Sequence, residues 1–153
     1  MKRMASVVGI MVVVAILVIS QLRGRDAEGH EGFDTAMARA KAGEKCLFLS
    51  FTGSDWCGWC IKLDQEVFSQ QAFKDFARDH LVLVTADFPS DKSKQSADLQ
   101  RQNKQLAEKF GVRGFPSVFI LGPDGNTIVK TGYQAGGAEA YVKHIKKLIA
   151  EAK

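Results

Sequence analysis

The chain has 153 residues, of which 46% are hydrophobic and 25% charged, an ordinary composition for a globular protein. Its net charge of +4 comes from the N-terminus: without Lys2, Arg3, Arg23 and Arg25, 17 of the 21 basic residues remain, against 17 acidic ones. A domain with balanced charge has no basic footprint for nucleic acid, so we expect no nucleic-acid partner. Three cysteines are too few for a disulfide framework, and their odd number means that one differs in role from the other two.

Residues 1–23 are predicted to be a signal peptide or a membrane anchor. Lys2 and Arg3 precede a charge-free apolar run at residues 4–20, which is short for a membrane span and long for a signal-peptide core. A weak cleavage site lies at residues 18–20, but no polar spacer precedes it. An uncleaved anchor and a cleaved signal are therefore both open, with a buried core helix as the remaining alternative. Either targeting role would export the domain to a periplasm or its equivalent, where disulfide chemistry is common.

Hydrophobic periodicity predicts one α/β domain over residues 33–153, after a polar linker at residues 24–32. In chain order the predicted elements are a helix at 33–43, a strand at 46–52, helices from about 58 and at 70–78, a strand at 81–86, a loop at 88–96, a helix at 97–110, strands at 117–121 and 127–131 joined by a turn at 123–126, and a helix at 138–152. The strand at 46–52 is almost wholly apolar, which is typical of a strand covered on both faces.

The most informative motif is Trp-Cys-Gly-Trp-Cys at residues 56–60, directly after the first predicted strand and at the start of a helix. Two thiols at this spacing can close a small disulfide. At a helix start, free N–H groups and the helix dipole favour negative charge, which lowers the pKa of a thiol. Cys57 is therefore a candidate thiolate, and a purely structural disulfide with Cys60 is the alternative. We expect no metal site, because the other cysteine and the histidines lack ligand spacing.

A second motif, Gly-Phe-Pro-Ser at residues 114–117, stands about 55 residues later and leads into an apolar strand. Together with residues 111–113 and with Gly132 after the return strand, the two motifs resemble the thioredoxin superfamily. The segments at 51–57 and 66–68 resemble more narrowly the exported bacterial thioredoxin-like proteins, of which the C-terminal domain of the transmembrane disulfide reductase DsbD is an example. The resemblance covers residues 33–153 and implies a thioredoxin-like fold, with a central mixed sheet and helices on both faces.

The resemblance implies thiol–disulfide exchange on cysteine-containing exported proteins, with catalytic residues Cys57 and Cys60. Cys57 would be the exposed, attacking thiolate, and Cys60 the more buried thiol that resolves the mixed disulfide. Reduction is the expected direction, although isomerisation or oxidation would use the same pair. A membrane electron donor of the DsbD kind would keep the pair reduced, without a cofactor, and the protein would be a monomer. A different class of function, a non-catalytic module that binds a protein or copper(I), is also open to these thiols.

The resemblance also implies a substrate-binding surface, formed by Trp56, Gly58, Trp59, Phe115 and Pro116. Pro116 matches the family's cis-proline, and a cis bond would expose the Phe115 backbone to an extended substrate strand. A plain proline at the start of a strand is the alternative. We expect Trp56 to lie mostly in the core and Trp59 to be exposed enough to contact partners.

The sequence departs from the family in two places. Thioredoxins have a buried aspartate in the strand before the cysteine pair, where this chain has Ser50 or Phe51. A water, Asp55 or another nearby residue would have to take over its role in proton transfer. The dipeptide between the cysteines, at residues 58–59, contains no histidine that could stabilise the thiolate as a cation. We therefore predict a couple that is less oxidising than oxidants of the DsbA kind.

Cys46 and Lys62 are each open to two interpretations. Cys46 begins a predicted strand, and we expect it to pack as a small hydrophobic residue, with a third redox cysteine as the alternative. Lys62 either raises the positive potential near the pair or is an ordinary solvated lysine.

Overall fold

A computed structural model describes residues 32–152, which form five α-helices and four β-strands. The helices are α1 (Phe33–Ala42), α2 (Gly58–Leu63), α3 (Gln71–His80), α4 (Ala97–Lys109) and α5 (Gly137–Glu151), and the strands are β1 (Cys46–Thr52), β2 (Leu81–Asp87), β3 (Ser117–Leu121) and β4 (Thr127–Thr131). The predicted targeting segment and nearly all of the predicted linker lie outside the described residues. Within residues 32–152, no helix combines the length and hydropathy needed to cross a membrane.

The four strands form one mixed sheet in the order β2-β1-β3-β4. β1 runs parallel to β2 and antiparallel to β3, so that Leu49 lies opposite Val84 on one side and Phe119 on the other. β3 and β4 form an antiparallel hairpin. In its turn, Gly125 adopts a φ of 83°, a conformation that glycine tolerates without a steric penalty. The mixed sheet predicted from the sequence is confirmed.

Helices cover both faces of the sheet because β1 is apolar on both sides. Leu47, Leu49 and Phe51 point to the face that carries α1 and α4, and Phe48 points to the face that carries α2, α3 and α5. The β1 residues 47–51 are all buried. The two cores fix β1 from both sides, so the turn that follows it, which carries the cysteine pair, starts from a rigid base.

The observed elements differ from the predicted ones mainly at helix ends. The strands at 46–52, 117–121 and 127–131 match the prediction. β2 extends to Asp87, because its pairing with β1 continues to the Thr52–Asp87 pair. After Leu63 the chain continues into a π-helical turn, Asp64–Phe68, and a short 3-10 turn, Lys92–Lys94, lies within the predicted loop at 88–96. Neither turn was predicted.

Candidate functional site

Cys57 and Cys60 are joined by a disulfide at the N-terminus of α2, with their Cα atoms 5.2 Å apart. Cys57 is the N-cap residue, and its Sγ accepts a hydrogen bond of 3.3 Å from the Cys60 N–H. The Cys57 N–H donates to the Gly53 carbonyl at 2.9 Å. Of the two sulfurs, that of Cys57 caps the N-terminus of α2. It accepts a backbone N–H group that would otherwise have no partner in the helix.

Both cysteines are buried in this disulfide form, with Cys57 7% exposed and Cys60 5% exposed. The prediction of an exposed Cys57 is therefore wrong for this form. The reason is geometric: the disulfide and the capping bond both turn the Cys57 sulfur toward the helix.

The turn before Cys57 is held by the last residue of β2 and by the chain segment that follows it. The N–H and hydroxyl of Ser54 donate to the two carboxylate oxygens of Asp87, at 2.9 and 2.6 Å. The carboxylate of Asp55 accepts the N–H of Ser90 at 2.9 Å and its hydroxyl at 2.8 Å, and Lys94 lies 3.5 Å away. The hydrogen bond from the Ser90 backbone N–H lowers the pKa of Asp55 most, and the bond from the Ser90 hydroxyl has the next largest effect. The positive charge of Lys94 lowers this pKa further.

Asp55 is expected to make stability depend on pH in the acid range. Because its pKa in the folded state lies below the ordinary value of 3.8, the Asp55 carboxylate stabilises the fold above that value. The contribution is lost as the pH falls through the lower, folded-state pKa. Asp55→Ala should therefore lower the urea midpoint at pH 7 and lower it by less at about pH 3, below the ordinary pKa of 3.8. Equal changes at both pH values would contradict this, and Asp98→Ala, at an exposed aspartate in α4, is the control.

Trp56 is 54% exposed, so the prediction that it lies mostly in the core is wrong. Its indole Nε1 donates to the Phe88 carbonyl at 2.7 Å, and its ring meets the Phe115 ring edge to face at 5.8 Å. A tryptophan places its N–H where an acceptor is available, and here that acceptor lies in the loop after β2. The ring therefore lies over the surface of Gly53 instead of entering either core.

The close contact between Gly53 and the Trp56 indole predicts that no larger residue fits at position 53. A Cβ atom there would lie within 2.7 Å of three atoms of the indole ring. Gly53→Ala should push the indole ring away and strain or break its Nε1 hydrogen bond to Phe88. We expect this to lower the free energy of unfolding by about 1–3 kcal/mol. Urea unfolding followed by tryptophan fluorescence measures both effects. Gly58→Ala is the matched control, because a Cβ at Gly58 meets nothing within 4 Å; an equal loss for both variants would refute the prediction.

The Phe115–Pro116 peptide bond is cis, as the sequence predicted. The ring of Phe115 stacks on that of Phe88 at 5.2 Å. Gly132, the residue after β4, lies against the proline: a Cβ there would stand 3.1 Å from the Pro116 carbonyl oxygen. Ser117, the residue after Pro116, pairs with Phe51 near the end of β1 that leads to the cysteine pair. The structure thus brings the predicted proline motif, the cysteine pair and Trp56 together at one end of the sheet.

Gly58 and Trp59, the two residues between the cysteines, are exposed, as predicted for Trp59. The Trp59 ring pairs with the Tyr133 ring, whose hydroxyl donates to Glu66. Tyr133 and Glu66 were missed from the sequence. The signal for Tyr133 was its place directly after Gly132, a residue already matched to the family, whereas Glu66 lies in the unpredicted π-helical turn.

Ser50 and Phe51 were the two residues predicted for the position of the thioredoxin aspartate. Ser50 is 5% exposed, whereas Phe51 is fully buried in the core on the α1 face of the sheet. The carboxylate of Asp55 is engaged by Ser90 and Lys94. Cys46 begins β1 and packs against the core on the α2 face, as predicted for a small hydrophobic residue.

Among residues 32–152, no group of three or more histidine, cysteine, aspartate or glutamate side chains is arranged to hold a metal ion. The chemistry that the described site can perform is that of the two sulfurs: two thiols at a helix terminus that open and close one disulfide.

Comparison with known proteins gives the family. Residues 33–149 match the family described as a thioredoxin-like domain. The chain belongs to the thioredoxin-like family. The chain is 35% identical to the disulfide bond reductase DsbH of Chlamydia pneumoniae over 119 residues. The aligned region covers 78% of this chain and 71% of DsbH.

Two solved structures are similar to this thioredoxin-like domain. That of the DsbH oxidoreductase matches with a TM-score of 0.75 at 34% identity, over 78% of this chain and 83% of that one. The C-terminal domain of DsbD from Neisseria meningitidis, in its oxidised form, matches with a TM-score of 0.52 at 18% identity, over 74% of this chain and 90% of that one, and shows the fold alone. The chain is thus a homologue of a disulfide oxidoreductase, and it has the cysteine pair that thiol–disulfide exchange requires.

Proposed function

We propose that this protein is an exported thiol–disulfide oxidoreductase that reduces disulfides in other exported proteins. The observation that carries the proposal is the Cys57–Cys60 disulfide at the N-terminus of α2, at the same end of the sheet as Pro116. The 35% identity to a protein named as a disulfide bond reductase supports reduction as the direction.

In the proposed mechanism the Cys57 thiolate attacks one sulfur of a substrate disulfide. The substrate S–S bond breaks, a mixed disulfide with Cys57 forms, and one substrate thiolate leaves. The Cys60 thiolate then attacks the Cys57 sulfur, which releases the second substrate thiolate and closes the Cys57–Cys60 disulfide. Two electrons pass from the pair to the substrate, so an external dithiol must return the pair to its reduced state.

The partners follow from this electron flow. Substrates are cysteine-containing exported proteins, which contact the surface formed by Trp56, Gly58, Trp59, Phe115 and Pro116. The reductant is a membrane electron donor of the DsbD kind, and the domain acts as a monomer in the periplasm or facing it. The apolar run at residues 4–20 supports export, either as a cleaved signal or as an anchor.

Reduction of insulin disulfides by dithiothreitol tests the proposal. The wild-type protein should accelerate the reaction, and Cys57→Ser should not. Cys46→Ser is the matched control, because it removes a cysteine outside the pair. Absence of acceleration by the wild type would refute the proposal, and tight copper(I) binding in the same protein would instead support a binding module.

The reduction potential of the pair tests the direction of exchange. Because no histidine lies between the cysteines, we expect a potential well below the value of about −120 mV that is typical of DsbA. Equilibration with glutathione buffers, read by alkylation of the reduced thiols, measures it. A potential as high as that of DsbA would make the protein an oxidant and exclude the reductase role.

A further inference from the structure

Trp59, which lies between the two cysteines in the chain, forms a cluster with two side chains to which the proposed mechanism assigns no role. The Trp59 ring is 58% exposed and lies 5.1 Å from the Tyr133 ring, measured between centroids. The Lys62 Nζ stands over both rings, 5.3 Å from the Trp59 centroid and 5.4 Å from that of Tyr133. We call these three residues the aromatic subsite.

Glu66 contacts two of the three members of the aromatic subsite, Tyr133 and Lys62. One of its carboxylate oxygens accepts the Tyr133 hydroxyl at 2.6 Å, and the other lies 3.7 Å from the Lys62 Nζ. The hydrogen bond to Glu66 also raises the pKa of Tyr133 above its ordinary value of 10. Each member of the cluster is therefore fixed by at least one other member.

The chemistry of this surface selects an apolar ligand. The Lys62 Nζ stands over the two rings and its charge is balanced by Glu66, so the subsite presents aromatic surface and a methylene stem without net charge. A large aromatic side chain that is already held in place loses little conformational freedom when a partner covers it. Trp59 also lies between the two cysteines in the chain, within one helical turn of Cys57. A side chain that reaches the subsite therefore lies close to the substrate sulfur under attack.

We propose that Trp59, Tyr133 and Lys62 bind an apolar or aromatic side chain that neighbours the target cysteine in the substrate, and that Glu66 is the residue that positions them. This inference rests on the proposed function and names the class of disulfide that the protein prefers. The protein should prefer substrates whose cysteine is flanked by a residue such as phenylalanine over substrates whose cysteine is flanked by a residue such as serine.

Two disulfide-linked peptides that differ only in the residue beside the cysteine, phenylalanine or serine, test the inference. The wild type should reduce the phenylalanine peptide with a kcat/KM about 10-fold higher. In Trp59→Ala the preference should fall below about 2-fold, through a rise in KM for the phenylalanine peptide. Glu66→Ala should reduce the preference in the same direction, and Leu83→Ala, at an exposed apolar residue of β2, should keep it. The preference is a ratio within one protein sample, so partial unfolding of a variant does not change it.

Each failure has a distinct signature. Equal reduction of both peptides by the wild type, with insulin reduction intact, overturns the subsite and leaves the proposed function standing. A preference that persists in Trp59→Ala also overturns the subsite, because the selectivity then comes from elsewhere. A wild type that reduces neither the peptides nor insulin overturns both proposals.

Discussion

Cys60→Ser protein is expected to hold its substrates as stable mixed disulfides on Cys57. The substitution leaves the N-cap sulfur in place and removes the thiol that resolves the intermediate, so the reaction stops after its first step. Turnover of insulin should be abolished, while covalent adducts accumulate. Non-reducing electrophoresis of protein recovered from the exported fraction of cells, followed by mass spectrometry, would identify the captured partners and the electron donor together.

The reciprocal variant is the control for trapping. Cys57→Ser retains Cys60, which is 5% exposed, and should capture little or nothing. Cys46→Ser in the Cys60→Ser background should trap as well as Cys60→Ser alone. Equal trapping through Cys57 and Cys60 would refute the assignment of Cys57 as the attacking residue and remove the basis of the mechanism.

Phe51→Ala is expected to cause the largest loss of stability among the substitutions considered. Phe51 is fully buried in β1, two residues before the turn that leads to the cysteine pair, and its ring meets Phe119 at 5.7 Å and Phe110 at 6.2 Å. Removing a buried phenyl ring leaves a cavity and costs about 3–5 kcal/mol. Domains of this size are stable by about 5–15 kcal/mol, so the variant should be near the limit of folding. Urea unfolding of the disulfide form measures the loss.

Leu83→Ala provides the comparison for Phe51→Ala. Leu83 is also an apolar strand residue, but it is 43% exposed, so its truncation should cost about 1 kcal/mol or less. A similar loss for the two variants would show that burial in β1 does not control stability as described.

Much of the fold could be predicted because local patterns and tertiary structure agree. The apolar run of β1 and the hairpin of β3 and β4 are each bounded by turn residues, and their observed limits match the predicted ones. The π-helical turn, Asp64–Phe68, could not be predicted. It depends on how Val67 packs into the core under α5, and spacing along the chain does not encode that packing.

The site was predictable where a motif is contiguous and unpredictable where it joins distant segments. The cysteine pair and Pro116 were identified from residues close in sequence. The bond between Tyr133 and Glu66 spans 67 positions, and that between Trp56 and Phe88 spans 32. The exposure of Trp56 follows from an acceptor in a remote loop, which neither its residue type nor its neighbours indicate.

The hydrogen bonds from residues 54 and 55 to residues 87–94 have a consequence for engineering chimeric enzymes. If only the turn at residues 54–55 were replaced by that of another protein, the Asp87 carboxylate would lose its hydrogen bonds from Ser54, or the Ser90 N–H would lose its bond to Asp55. The two stretches therefore form one transplantable cassette. Exchanging them together should preserve the presentation of the reactive sulfur, whereas exchanging either alone should loosen it.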